Sequence, residues 1–236
     1  MFCNVCGNSI DTSTQFCPKC GTPLASAGPQ PQQPGGQMLP SIAYVTPQGV
    51  KAKTGEWIGQ GWELVKSDIM TFAIMALLLG IIASCVPLIL HGPLMAGFHY
   101  AFMNKILSGR TEIGDLFKGF NMFVPNMVAG ILIGLFVGIG SIFCIIPGIM
   151  LAAAYSFTYL LIIDKKMDFW PAMQASMDIV KQDWVGFIIF LLVAGLINVL
   201  GFFACLVGMF VTMPIMYGAI TVAYKEIVGF DRLPQI

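Results

Sequence analysis

The sequence predicts an all-α integral membrane protein. It has six transmembrane helices in three hairpins, amphipathic helices lying at the membrane interface, and a small cysteine-rich module in front. Three observations predict this. Ile69 to Asn104, Gly119 to Ile163 and Trp184 to Tyr224 contain no Lys, Arg, Asp or Glu. Each run is too long for one crossing, which needs roughly 20 apolar residues, and close to the length of two. The chain is 57% hydrophobic and 10% charged, whereas soluble domains average about 25% charged. A soluble protein of this size needs a polar surface, so lipid must be the second solvent. Net charge is zero, so no overall field attracts nucleic acid or an anionic ligand.

The module comes first in the chain. Cys3-Asn-Val-Cys6-Gly7 is followed by Cys17-Pro-Lys-Cys20-Gly21. Two CxxC pairs supply four thiolates, enough for a closed tetrahedral zinc shell at Cys3, Cys6, Cys17 and Cys20. The Gly after each pair tolerates the tight turn that brings amide N–H groups toward sulfur. Residues 1–22 resemble the zinc-ribbon family, with Asn4 and Val5 standing where the commoner knuckle has proline. The competing reading is two disulfides, since so little core needs either metal or cross-links. The expectation is structural Zn2+, because the first apolar stretch begins only at residue 69 and no secretory signal precedes the cysteines. A closed four-sulfur site has no open position for catalysis. Lys19 is the one basic side chain of the ribbon, set against Asp11, whereas nucleic acid needs a cluster of cations. The ribbon therefore reads as a module that docks a cytoplasmic protein.

Residues 23–50 hold prolines, Gln and Gly and no charge. They read as a disordered linker of about 30 Å end-to-end distance. Residues 51–236 then form the membrane domain.

All twelve basic and all twelve acidic residues lie outside the three runs. Three hairpins put every charge on one face of the membrane, and the turns near Cys85, Cys144 and Cys205 carry none. Cationic loops stay in the cytoplasm, so both termini are expected there, in the cell membrane. Three single spans would instead scatter Lys and Arg over both sides.

An amphipathic segment precedes each hairpin. The apolar faces are Ile58, Trp62, Val65 and Ile69; Ile113, Leu116, Phe117 and Phe120; and Trp170, Met173, Met177, Val180 and Trp184. Trp at the water–lipid boundary suits helices lying in the interface. Loop helices packed on the bundle are the alternative. The unit repeats: Val65-Lys66-Ser67-Asp68 matches Val180-Lys181-Gln182-Asp183, and Pro93-Leu-Met-Ala-Gly97 matches Pro214-Ile-Met-Tyr-Gly218. Pro147-Gly148 occupies a comparable place in the middle unit. The prolines start or kink the returning helices. Gly130, Gly134 and Gly138 form a ladder for packing within the chain or for a homo-oligomer.

No ionised residue sits within a span, so an ion-coupled transporter lacks its usual midplane group. His91 and His99 are the titratable groups there, read as hydrogen-bonded bundle residues or as a ligand site. Cys85, Cys144 and Cys205 read as small apolar residues, with a disulfide on the outer face as the alternative.

Residues Glu56 to Arg232 resemble a broad group of prokaryotic multi-pass membrane proteins. The residues that carry the likeness are Gly92-Pro93-Leu94, Ile146-Pro147-Gly148 leading to Tyr155 and Asp164, and Ala172 to Lys181 ahead of Trp184. The group includes the membrane domain of glycerophosphodiester phosphodiesterases, whose hydrolase domain has no room in these short loops. The sequence thus points to a non-enzymatic membrane adaptor or regulator that recruits a cytoplasmic partner. A transporter or flippase of lipids or small apolar molecules is the alternative, with a cavity lined by His99, Asn104, Asn126 and Asn198.

Overall fold

The computed structural model describes residues 44–143, 145–204 and 208–234, of which the side chains of Cys85, Pro87, Ile145 and Ala204 are excepted. The described residues are helical and contain no strand. Each charge-free run folds as an outgoing and a returning arm, and in the middle run the returning arm is broken into two helices. The first gives α2 (Ile69–Cys85) and α3 (Pro87–Ser108), with Val86 alone between them. The second gives α4 (Phe123–Phe143), α5 (Ile145–Ala154) and α6 (Thr158–Lys165). The third gives α8 (Trp184–Ala204) and α9 (Met209–Ile227). A shorter helix precedes each pair. These are α1 (Thr54–Lys66), a 3-10 segment (Ile113–Met122), and α7 (Phe169–Val180) with a short 3-10 turn (Lys181–Asp183).

The two members of each pair have different neighbours. In α3 every residue from Gly92 to Met103 is buried, and in α6 every residue from Thr158 to Ile163. In α9 the buried set includes Pro214, Ile215 and Gly218 to Tyr224. The outgoing helices instead expose large apolar side chains: Met70 and Leu77 on α2, Val124, Leu135 and Phe143 on α4, Val185, Leu196 and Phe203 on α8. Returning helices form the core and outgoing helices form an apolar jacket around it.

The short helices lock the units into a ring. The 3-10 segment packs on α3, α7 packs on α6, and α1 packs on α9. Each therefore clasps the returning helix of the unit before it, and the first clasps that of the last. Two clasps work by backbone contact. A Cβ at Gly97 would overlap the Leu116 carbonyl oxygen, and one at Gly119 would overlap the Pro93 carbonyl. A Cβ at Gly61 would lie 2.7 Å from the Ala219 nitrogen. The third works through Ser176, whose hydroxyl donates to the Ala154 carbonyl (2.7 Å) and accepts the Phe157 N–H (3.1 Å). That hydroxyl caps the break between α5 and α6.

The apolar faces differ from those read in the sequence. α1 turns 98° from α2 and buries Trp57, Gly61 and Val65, while Trp62 and Ile69 stay partly exposed. The face one residue back is chosen because Gly61 is the point of closest approach to α9. The second segment is 3-10 rather than α. Its three-residue period puts Leu116 and Gly119 in one row against α3 and leaves Phe117 exposed, and Ile113, at the open end of that row, is also exposed. On α7, Met173 and Val180 are buried and Trp170 is half exposed. Small residues Ala172, Ala175 and Ser176 complete that buried face.

Three helical stretches are long and apolar enough to cross a membrane: Ile113–Phe143, Ile146–Lys165 and Phe169–Phe203. A fourth is added if the bent pair α1 and α2 counts as one. α3 and α9 fall short of that measure because His91, His99 and Asn104 lower the hydropathy of α3, and Lys225 and Glu226 that of α9. α2, at 17 residues, spans about 26 Å at 1.5 Å per residue.

Gly119→Ala is expected to lower the thermal unfolding midpoint in detergent, by an overpacking cost of about 1–3 kcal/mol. Gly134→Ala, on the open side of α4 with nothing within 4 Å, is expected to leave the midpoint unchanged.

Candidate functional site

The contacts gather the charged segments at one end of the bundle. Lys53 pairs with Glu226 (2.5 Å), and Lys105 pairs with Asp68. The Asn104 amide donates to Asp115 (2.8 Å). Asp164 accepts from the Tyr224 hydroxyl (2.8 Å) and pairs with Lys165 (3.0 Å). The ion pairs between described residues all join side chains of these charged segments.

The clasp of α1 on α9 is latched at this end. The Trp57 indole N–H donates to Glu226 (2.6 Å), and the Trp57 ring is fully buried against Phe187 and Phe190. The Glu226 carboxyl is held below its usual range, first by the hydrogen bond from Lys53 and then by that from Trp57. The residues before α1 are strapped down beside it. The Val50 N–H donates to Gln182 (3.1 Å), the Ala52 N–H donates to Asp183 (2.9 Å), and Gln182 donates to the Pro47 carbonyl (2.6 Å). Residues 44–50, assigned to the linker from their composition, are therefore docked on the corner between α7 and α8. Gln182 and Asp183 supply side-chain partners that this non-helical segment uses without joining a helix. Tyr44 lies near Asp164, and burial together with that carboxylate pushes its phenol up to about 12.

Of the polar residues expected to line a transport path, His99 and Asn126 are buried inside the bundle, and Asn104 and Asn198 are half-buried. His99 is 1% exposed, and its Nδ1 lies 2.9 Å from the Thr221 hydroxyl. That hydroxyl also lies 2.9 Å from the Tyr217 carbonyl, to which it can donate. The Tyr217 ring stands edge-on at 5.6 Å. Asn126 donates to the Gly119 carbonyl (3.0 Å), and Asn198 donates to the Ala194 carbonyl (3.2 Å). His99, Asn126 and Thr221 expose essentially no surface, so no water-sized space adjoins them. His91 is exposed at the start of α3. Pro93 and Pro214 lie inside α3 and α9, and a Cβ at Gly130 would press on Gly92.

Open space appears instead at the charged end. A groove of about 740 Å3 is lined by Lys53, α1 (Glu56, Gln60, Glu63), α3 (Lys105, Ile106) and α9 (Val222, Lys225, Glu226), among others. No cluster of three or more His, Cys, Asp or Glu among the described residues is arranged to hold a metal ion. Cys3, Cys6, Cys17 and Cys20 lie outside the described residues, as do Cys144, Cys205 and the side chain of Cys85.

Comparison with known proteins decides the N-terminal module. Residues 2–24 match a zinc-ribbon domain. The match extends two residues beyond the 1–22 read from the cysteine spacing and covers all four cysteines. Nothing among the curated proteins or the solved structures matches the chain, so the likeness to the membrane domain of glycerophosphodiester phosphodiesterases finds no support there. The chain thus joins a zinc-ribbon domain to a helical region with several membrane-compatible helices.

Sequence reasoning missed the Trp57–Glu226 latch, which joins residues 169 apart and leaves no local pattern. Glu226→Gln is expected to speed tryptic cleavage after Lys51 and Lys53 relative to the native protein. The depressed Glu226 carboxyl contributes stability above the ordinary Glu value of 4.5. That contribution is lost as pH falls through its lower folded-state value. Acid is therefore expected to loosen α1, read as a red shift of Trp57 emission that is absent in a Trp57→Phe control.

Proposed function

We propose that this protein is a non-enzymatic membrane adaptor whose zinc ribbon recruits a cytoplasmic protein. Thiolates of Cys3, Cys6, Cys17 and Cys20 hold one structural Zn2+, which supplies the fold that a segment of this length cannot build from apolar core. The helical region anchors the ribbon as six spans in three hairpins, with both termini in the cytoplasm. The observation that carries the reading is the match of residues 2–24 to a zinc-ribbon domain on a chain that buries His99, Asn126 and Thr221 among its described helices. The gathering of charge at one end of the bundle supports the hairpin topology, since Lys and Arg mark the cytoplasmic side. α3 and α9 count as spans in this topology because neighbouring helices, not lipid, surround them.

A transporter needs a path lined by His99, Asn104, Asn126 and Asn198. These side chains bond to Thr221, Asp115 and the carbonyls of Gly119 and Ala194. Closed packing of this kind weighs against that reading.

Crosslinking pull-downs from membranes test the adaptor role. Intact protein is expected to retain a partner set that Cys17→Ser protein loses, while both forms insert equally. The same set with both forms would end the proposal. Topology is tested separately with a membrane-impermeant amine reagent. Lys118 and Lys166 are expected to react only after permeabilisation, and labelling of either on intact cells would overturn the cytoplasmic assignment.

A further inference from the structure

The groove at the charged end has a chemistry that the adaptor role does not use. Its volume, about 740 Å3, falls within the roughly 300–1,000 Å3 of small-molecule sites. Its floor includes Leu64, Ile106 and Val222. Its ionised groups are of two kinds. Lys53 and Glu226 pair with each other, and Lys105 is held by Asp68; these are tied into the fold. The others are available. Lys225 has no carboxylate partner among the described residues; its ammonium sits 5.8 Å from the Phe230 ring centroid. Glu56 and Glu63 are 64% and 63% exposed. They lie seven residues apart on α1 with Gln60 between them, so all three project from one helix face. Glu56 is 3.6 Å from Lys53, a loose contact, and Glu63 pairs only with Lys66, which does not line the groove.

The ligand must therefore present an anion toward α9 and a cation toward α1, with an apolar part for the floor. A purely anionic headgroup would meet two exposed carboxylates, and a purely cationic ligand would meet Lys225 and Lys105. We infer that this groove binds a phosphate-bearing zwitterion of the phosphoethanolamine type: phosphate at Lys225, ammonium at Glu56 and Glu63. Its location suits a membrane lipid, because the charged end is where the apolar helices leave the bilayer. A soluble phosphoethanolamine compound presents the same groups. The inference rests on the membrane placement and is independent of what the ribbon recruits.

The test is native mass spectrometry of the full chain released from detergent micelles. Phosphatidylethanolamine and phosphatidylglycerol of matched acyl chains are added in parallel. Retention of the ethanolamine lipid is expected to exceed that of the glycerol lipid about tenfold, as one charge-assisted contact allows. Lys225→Ala, and separately Glu56→Gln with Glu63→Gln, are expected to bring it down to the glycerol-lipid level. These side chains are solvent-exposed, and an unchanged unfolding midpoint confirms that the variants fold. Competition by soluble glycerophosphoethanolamine assigns the site to the headgroup from either source, and its failure to compete assigns it to the bilayer lipid. Equal retention of the two lipids, or retention unaffected by both sets of substitutions, would overturn the inference. Neither result touches the pull-down, which reads the ribbon.

Discussion

Close approach of helix backbones is the constraint on which this architecture depends. Between helices in lipid there is no hydrophobic drive to associate, because the acyl chains are as apolar as leucine. Packing contacts and internal hydrogen bonds must hold the helices together instead. Gly97 against Leu116, Gly119 against Pro93 and Gly61 against Ala219 bring main chains into direct contact. Where α7 meets α6, the serine hydroxyl of Ser176 takes over, bonding two main-chain groups at the α5–α6 break. Each short helix thus reaches the unit before it, and three separate hairpins become one ring.

That ring sorts the helices by chemistry. Once α3, α6 and α9 are enclosed, their surroundings are other side chains, and polar groups are tolerated if they find partners. His99 and Thr221 satisfy each other in this way, with the Tyr217 carbonyl within reach of the same hydroxyl. Asn126 serves the Gly119 carbonyl beside the tightest clasp, so its role is tied to the same contact. The outgoing helices α2, α4 and α8 meet the opposite requirement. They face outward, and the large side chains they expose are Leu, Ile, Val, Met and Phe.

Much of this was legible before the structure. The three charge-free runs become the three pairs of outgoing and returning arms, and the matched Pro93–Gly97 and Pro214–Gly218 segments mark two equivalent returning helices. The cysteine spacing located the ribbon that residues 2–24 match. What was not legible is which helix of each pair turns inward. Composition measures how apolar a segment is, while burial depends on a neighbour remote in sequence. Trp57 and Trp62 illustrate this. They sit five residues apart on one helix, yet Trp57 is sealed against Phe187 and Phe190 while Trp62 is 41% exposed. Only the position of Gly61 against α9 decides between them. Residues 44–50 were read with the proline-rich 23–50 segment, whose composition disfavours helix and strand but does not prevent docking on Gln182.

The three clasps are not equally secure, and chain connectivity explains how they are reinforced. The first joins residues 11 apart in Asn104 and Asp115, and the second joins residues 22 apart in Ala154 and Ser176. The closing clasp joins Trp57 to Glu226, 169 residues apart. Each doubling of a closed loop costs about 0.6 kcal/mol, so three doublings from the second clasp add about 2 kcal/mol. The closing clasp is also where the extra contacts are found: a fully buried tryptophan, the Lys53–Glu226 pair, and the strap bound by Gln182 and Asp183. A hydrogen bond to a charged group contributes about 1.5–3 kcal/mol, so the Trp57–Glu226 bond alone is of the size needed to offset that loss. The latch therefore sits at the one junction that no short loop preorganises. The segment that closes the ring is also the one that leads back toward the zinc ribbon.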